Sequence, residues 1–110
     1  MELPRDAFLL RIFLQEADEN NGEPLFSKIV LQAREKKLAG ATVLRGPLGI
    51  GRSGKLHSSD IFHPSGGLPV VIEIVDSEQK IRAFLADMED LLGSSLMTLE
   101  KVQAFQLGQE

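Results

Sequence analysis

Between Gly46 and Gly67 the chain gathers most of the residues that could hold a ligand or break a bond. Gly49-Ile-Gly-Arg-Ser-Gly54 spells GxGxxG, the pattern whose glycines let a strand-to-helix turn approach a pyrophosphate. That chemistry needs a helix directly after the turn, to set its N-terminus against the phosphates. Lys55-Leu-His-Ser-Ser-Asp-Ile-Phe-His-Pro64 is too polar, and too soon broken by proline, to supply one. The same run continued through Lys55 imitates a P-loop, except that Leu56 stands where a Ser or Thr hydroxyl should hold magnesium. Val71-Ile-Glu-Ile-Val-Asp76 imitates the partner strand of such ATPases, but 110 residues are too few for that fold.

His57, Asp60 and His63 are metal-ligand types, and His57 with Ser58, Ser59 and Asp60 has the residue types of a hydrolase. Neighbours in a loop seldom point at one another, and no nucleophile elbow is present. These side chains read as solvated loop residues, and the expectation is a protein with no catalytic residue, no metal and no cofactor. What survives is simpler. Gly46, Gly49 and Gly51 allow backbone N–H groups to turn inward as a nest for an anion. Arg45, Arg52 and Lys55 can add charge-assisted hydrogen bonds of about 1.5–3 kcal/mol each. These six are the candidate ligand-binding residues, while Ile61 and Phe62 are apolar loop residues suited to meeting a partner protein. The plain alternatives are a loop whose charges face water, and a loop that docks to a protein without any ligand.

The elements that would position this loop follow from periodicity. Ala7 to Leu14 alternates as a strand, with Phe8, Leu10, Ile12 and Leu14 on one face and Ala7, Leu9, Arg11 and Phe13 on the other. Glu16 to Gly22 is a polar loop, and Pro24 suits the first turn of a helix. Leu25, Phe26, Ile29, Val30 and Ala33 make that helix's apolar stripe, and its end is expected at Leu38 to Gly40. Ala41 to Arg45 is a second strand. A long loop with six glycines and two prolines follows, and such loops are more often functional than mere connections. Leu68 to Val75 is a third strand. Asp76 or Ser77 caps a second helix, with Asp76 and Gln79 near capping-box spacing. That helix has the stripe Ile81, Phe84, Leu85, Met88, Leu91 and Leu92, and Gly93 ends it. Leu96 to Leu107 is the fourth strand, with a shift of its apolar set between Leu99 and Val102 that suggests a bulge or a frayed end.

Strand, helix, strand, strand, helix, strand makes an α+β, ferredoxin-like βαββαβ sandwich with both helices on one sheet face. Residues 1–110 form one domain of the commonest size. Helices on one face leave the other apolar set uncovered, for which self-association is the remedy. The absence of cysteine removes disulfide and thiolate chemistry. No apolar run approaches the roughly 20 residues that cross a bilayer, and Met1 to Asp6 lacks the basic start of a signal peptide. The expectation is a cytoplasmic protein with no direct membrane insertion. A net charge of −4 argues against nucleic-acid binding, yet Lys36 to Ser59 holds five basic residues and no acid. A positive field stands on an acidic body.

Ala39-Gly-Ala-Thr-Val-Leu-Arg-Gly46, then Gly49-x-Gly51, His57 and Leu68-Pro-Val-Val-Ile-Glu-Ile-Val-Asp76, together resemble the PII-like family catalogued as domain of unknown function 190. The resemblance covers nearly the whole chain. It implies a ferredoxin-like protomer assembled as a homotrimer with sheets facing inward, and a signalling role in which a nucleotide or other small anion binds at a cleft between subunits. It also implies that the long loop regulates a target such as a transporter or an enzyme. Gly49, Gly51 and Arg52 match the root of that loop. The chain departs from classical PII proteins in having Gly93-Ser94-Ser95-Leu96 where they place a Gly- and Lys-containing phosphate loop. Its tail, Phe105 to Glu110, lacks their basic residues, and it has no tyrosine to be nucleotidylated. The rival expectation is a ligand-independent interaction protein, such as an accessory subunit of a membrane transporter.

Overall fold

A computed structural model describes residues 6–50, 56–58 and 67–107. Four strands form the main sheet: β1 (Asp6–Gln15), β4 (Gly40–Arg45), β7 (Pro69–Asp76) and β8 (Leu96–Gln103), in the order β4-β7-β1-β8 and antiparallel throughout. Helices α1 (Leu25–Glu35), α2 (Glu78–Asp87) and the short α3 (Glu89–Leu92) supply the crossovers. This is the ferredoxin-like α+β arrangement expected from the sequence.

Register assigns the two sheet faces. Leu10 lies opposite Ile74, Ile12 opposite Ile72 and Leu14 opposite Val70, and all six are buried. From the helices, Ile29, Ala33, Ile81 and Phe84 close this core. In α1 the buried residues are Leu25, Ile29 and Ala33, each one helical turn from the last. Pro24 stands at the N-cap, with φ −58 already near helical values.

Several boundaries differ from the periodicity. Helix α1 ends at Glu35 rather than at Leu38 to Gly40. Lys37 turns to φ 58, its N–H donates to the Arg34 carbonyl and that of Leu38 donates to the Ala33 carbonyl. This is a Schellman closure built on a non-glycine residue, held by two hydrogen bonds and by burial of Leu38. The polar loop after β1 contains a small hairpin, β2 (Glu19–Asn20) with β3 (Glu23–Pro24), around Asn21 at φ 54 and Gly22 at φ 81. Asn-Gly is the strongest short signal for such a turn. Strand β8 stops at Gln103 and pairs residue for residue with β1. No bulge occurs there: Leu99 faces the core opposite Leu10, whereas Val102 lies on the other face opposite Ala7. Ser77, not Asp76, caps α2, its hydroxyl accepting from Lys80 N at 3.2 Å.

Asp76 does something else. Only 3% exposed, its carboxylate accepts from Ala39 N at 2.8 Å and Ser77 N at 2.6 Å, with Lys80 Nζ at 3.4 Å. Lys80 in turn donates to the Lys37 carbonyl. One carboxylate thus joins the end of α1 to the start of α2 and fixes where β4 begins.

Candidate functional site

Among the described residues, no helix covers the second sheet face. Its outward residues form a row across all four strands, Leu44, Val71, Phe13 and Leu96 in register. Leu44 is 48% exposed, Phe13 36% and Leu96 62%. Beside this row, Arg11 donates to Glu73 at 2.9 Å and to Glu100 at 2.7 Å, crossing three strands. The two carboxylates raise the guanidinium's pKa further above its ordinary value, so Arg11 stays charged at any working pH. This face joins apolar surface to a charge cluster satisfied within the chain.

At one end of this sheet the long loop begins and returns. Arg45 closes β4, opposite Val70, and its Nε donates to Glu16 Oε2 at 2.5 Å. Glu16 follows β1 and also holds the other end of the loop. Its N–H donates to the Leu68 carbonyl at 2.8 Å, and its Oε1 lies 3.5 Å from Leu68 N. Gly67 makes this approach possible: at φ +64, an added Cβ would stand 2.9 Å from the Glu16 Cβ.

Gly46 and Gly49 lie over the ring of Pro69. A Cβ on Gly46 would meet Pro69 Cγ at 3.2 Å and one on Gly49 would meet it at 3.0 Å. The Gly46 N–H donates to the Pro69 carbonyl, so it is engaged by backbone and not turned inward toward an anion. These two candidates from the sequence therefore have a packing reason to be glycine. The loop also contains a hairpin that its lack of period did not reveal, β5 (Leu48–Ile50) with β6 (Leu56–Ser58), in which Gly49 lies opposite His57.

Replacing Gly49 by alanine is expected to cost about 1 kcal/mol in urea unfolding, because the hairpin must lift off the proline ring. Part of that loss should return when Pro69→Ala is added. Additive losses would show that the two residues do not press on each other.

Of the candidates from the sequence, the structure brings together Arg45, Gly46 and Gly49. Gly51, Arg52, Lys55, Ile61 and Phe62 lie outside the described residues, as do Ser59, Asp60, His63 and the side chains of His57 and Ser58. Among the described residues no group of three or more His, Asp or Glu could hold a metal ion. Nor is any described helix long and apolar enough to cross a membrane.

Next to the loop root opens a cleft of about 1120 Å³, whose lining includes Gln15, Asp18, Leu25, Ile50, Ser95 and Leu96. Asp18 accepts from Gln15 N at 2.9 Å, and the Ser95 hydroxyl donates to the Leu92 carbonyl at 2.7 Å. Gln15 Oε1 is buried without a hydrogen-bond partner among the described residues. The sequence marks neither Glu16 nor this cleft. Nothing in the polar stretch after β1 distinguishes Glu16 from its acidic neighbours; only the fold brings Arg45 and Leu68 to it.

Comparison with known proteins extends this geometry. The family model DUF190, described as uncharacterized ACR, matches residues 7–104. A UPF0166 protein of Aquifex aeolicus (strain VF5) is 39% identical over 101 residues, covering 90% of this chain and 93% of the relative. Among solved structures, CPII of Thiomonas intermedia K12, a nitrogen regulatory PII-like protein bound to ADP, AMP and bicarbonate, is similar with a TM-score of 0.66 at 14% identity. That match covers 90% of this chain and 88% of CPII. A putative PII-like signalling protein of Thermus thermophilus gives a TM-score of 0.64 at 14% identity, covering 90% and 89% of the two chains. At such identities the likeness to the solved structures is one of fold.

Proposed function

The chain belongs to the DUF190 family, and from that premise we propose that it is a PII-like regulatory module, one domain in each subunit of a cytoplasmic homotrimer. A nucleotide or other small anion binds at the cleft between subunits, held by Arg45, Arg52 and Lys55 and by the backbone of Gly49 and Gly51, with Gly46 carrying the chain past Pro69. The loop then presents or withdraws Ile61 and Phe62, and so regulates a partner such as a transporter or an enzyme. No catalysis is required.

One observation carries this reading. At a single end of the sheet, a cationic side chain at the loop root, an open cleft and an uncovered apolar row adjoin one another: Arg45 pairs with Val70, which lines the cleft, and the preceding Leu44 begins the row. A second subunit on that row would bury it and would wall the cleft from outside. The fold neighbour CPII binds ADP, AMP and bicarbonate, which sets the first ligands to try.

The test is a dye-reported thermal melt of the purified protein against ADP, AMP, ATP, cyclic nucleotides, bicarbonate and phosphate. A ligand at a hundred times its dissociation constant stabilises by about 2.7 kcal/mol per site, a shift of several degrees. Arg45→Ala should weaken the selected ligand about tenfold, since it removes one exposed charge-assisted contact. A panel that moves no midpoint, or an Arg45→Ala protein of unchanged affinity, would sink the site assignment.

The pairing of Arg45 with Glu16 favours a second reading, in which the loop root is complete without ligand and the partner is held constitutively. Capture of the same partner with and without nucleotide separates the two.

A further inference from the structure

Glu16 touches both strand ends from which the proposed site is built. Oε2 lies 2.5 Å from Arg45 Nε at the end of β4, and Oε1 lies 3.5 Å from Leu68 N just before β7. The Glu16 side chain is 32% exposed and that of Arg45 is 57% exposed, so water and a dissolved anion can reach the pair. A carboxylate on a guanidinium is the arrangement an incoming phosphate or carboxylate would itself adopt. Gly67 at φ +64 shows how closely the chain is drawn against this side chain, for a Cβ there would overlap the Glu16 Cβ.

We propose that Glu16 is an internal anion that occupies Arg45 until a ligand's oxyanion displaces it, making Glu16 the residue that sets how strongly an anion must bind. The inference rests on the reading of Arg45 as a ligand contact. Displacement has a second effect within the described structure. When the carboxylate leaves Arg45 it also leaves Leu68 N, so occupancy at the end of β4 is felt at the start of β7. The competition has a modest size, because an exposed ion pair contributes little.

Glu16→Gln is the decisive variant. It keeps an acceptor for Leu68 N and the shape of the side chain, but removes the charge that competes for Arg45. With ADP as the probe in calorimetric titrations, Glu16→Gln should bind about two- to fivefold more tightly than wild type. In an Arg45→Ala background the same substitution should have no effect. An NMR readout accompanies this: on adding ADP to the wild type, the Leu68 N–H resonance should move as the Glu16 carboxylate leaves it, and in Arg45→Ala it should stay put.

If wild type binds ADP and Glu16→Gln binds it equally or more weakly, Glu16 is a strut and the inference is overturned while the nucleotide reading stands. If neither protein binds ADP, the reading of Arg45 as a nucleotide contact fails and takes the inference with it.

Discussion

Phe13→Glu is expected to run as a folded monomer in sedimentation velocity at concentrations where the wild type forms the proposed trimer. Phe13 lies at the centre of the uncovered row, between Val71 on β7 and Leu96 on β8. In an assembled face a carboxylate there would be taken from water with only apolar neighbours in its own row, and Arg11 nearby is already paired with Glu73 and Glu100. Desolvating an unpaired charge costs on the order of 3 kcal/mol or more per copy, and a closed trimer meets that cost three times. The isolated subunit should feel little of it, within about 1 kcal/mol, because Phe13 is 36% exposed on an open face. A variant that remains assembled at micromolar concentration would show that this face is not the interface.

Asp76→Ala is expected to lower the unfolding free energy by about 3–4 kcal/mol, read from urea titrations at constant slope. The substitution strands the N–H groups of Ala39 and Ser77 and frees Lys80 from its carboxylate. Each buried N–H left without a partner costs about 1–3 kcal/mol. Asp76→Asn should lose less, since its carbonyl oxygen can still accept one of the two bonds. Equal losses in the two variants would point to the charge rather than to the accepted N–H groups. In either case β4 should start less firmly, and with it the placement of Arg45 five residues beyond Gly40.

What could be read from the sequence was whatever has a period. Leu10, Ile12 and Leu14, and likewise Ile81 and Phe84, declare one buried face each, and their order leads to the four-stranded sheet. Leu48-Gly-Ile50 and Leu56-His-Ser58 are strands of three residues, too short for alternation to register in a glycine-rich loop, so the hairpin they form could not be seen. The early end of α1 depends on Lys37 adopting a conformation that local sterics discourage and that the packing of Leu38 rewards. Asn21-Gly22 is a legible turn signal, but the strands it joins are two residues each and lie among polar neighbours that carry no alternation. For the site, Arg45 stood out by its charge among glycines, but its partner Glu16 lies 29 positions away. That pairing depends on β7 lying between β1 and β4, a property of topology that no local pattern carries.

The sheet order also governs how the molecule comes into being. Strand β1 occupies the interior of the sheet, yet both strands that flank it are made much later; its Arg11 finds Glu73 after 62 residues and Glu100 after 89. At ribosomal speeds of about 5–20 residues per second, this apolar segment waits on the order of ten seconds for its second neighbour. Meanwhile Phe8-Leu-Leu-Arg-Ile-Phe-Leu14 is an unpaired ribbon with a single charge, the kind of segment that chaperones hold and that other nascent chains can pair with. Arg11, which in the finished protein ties three strands together, is during synthesis the gatekeeper in the middle of that ribbon.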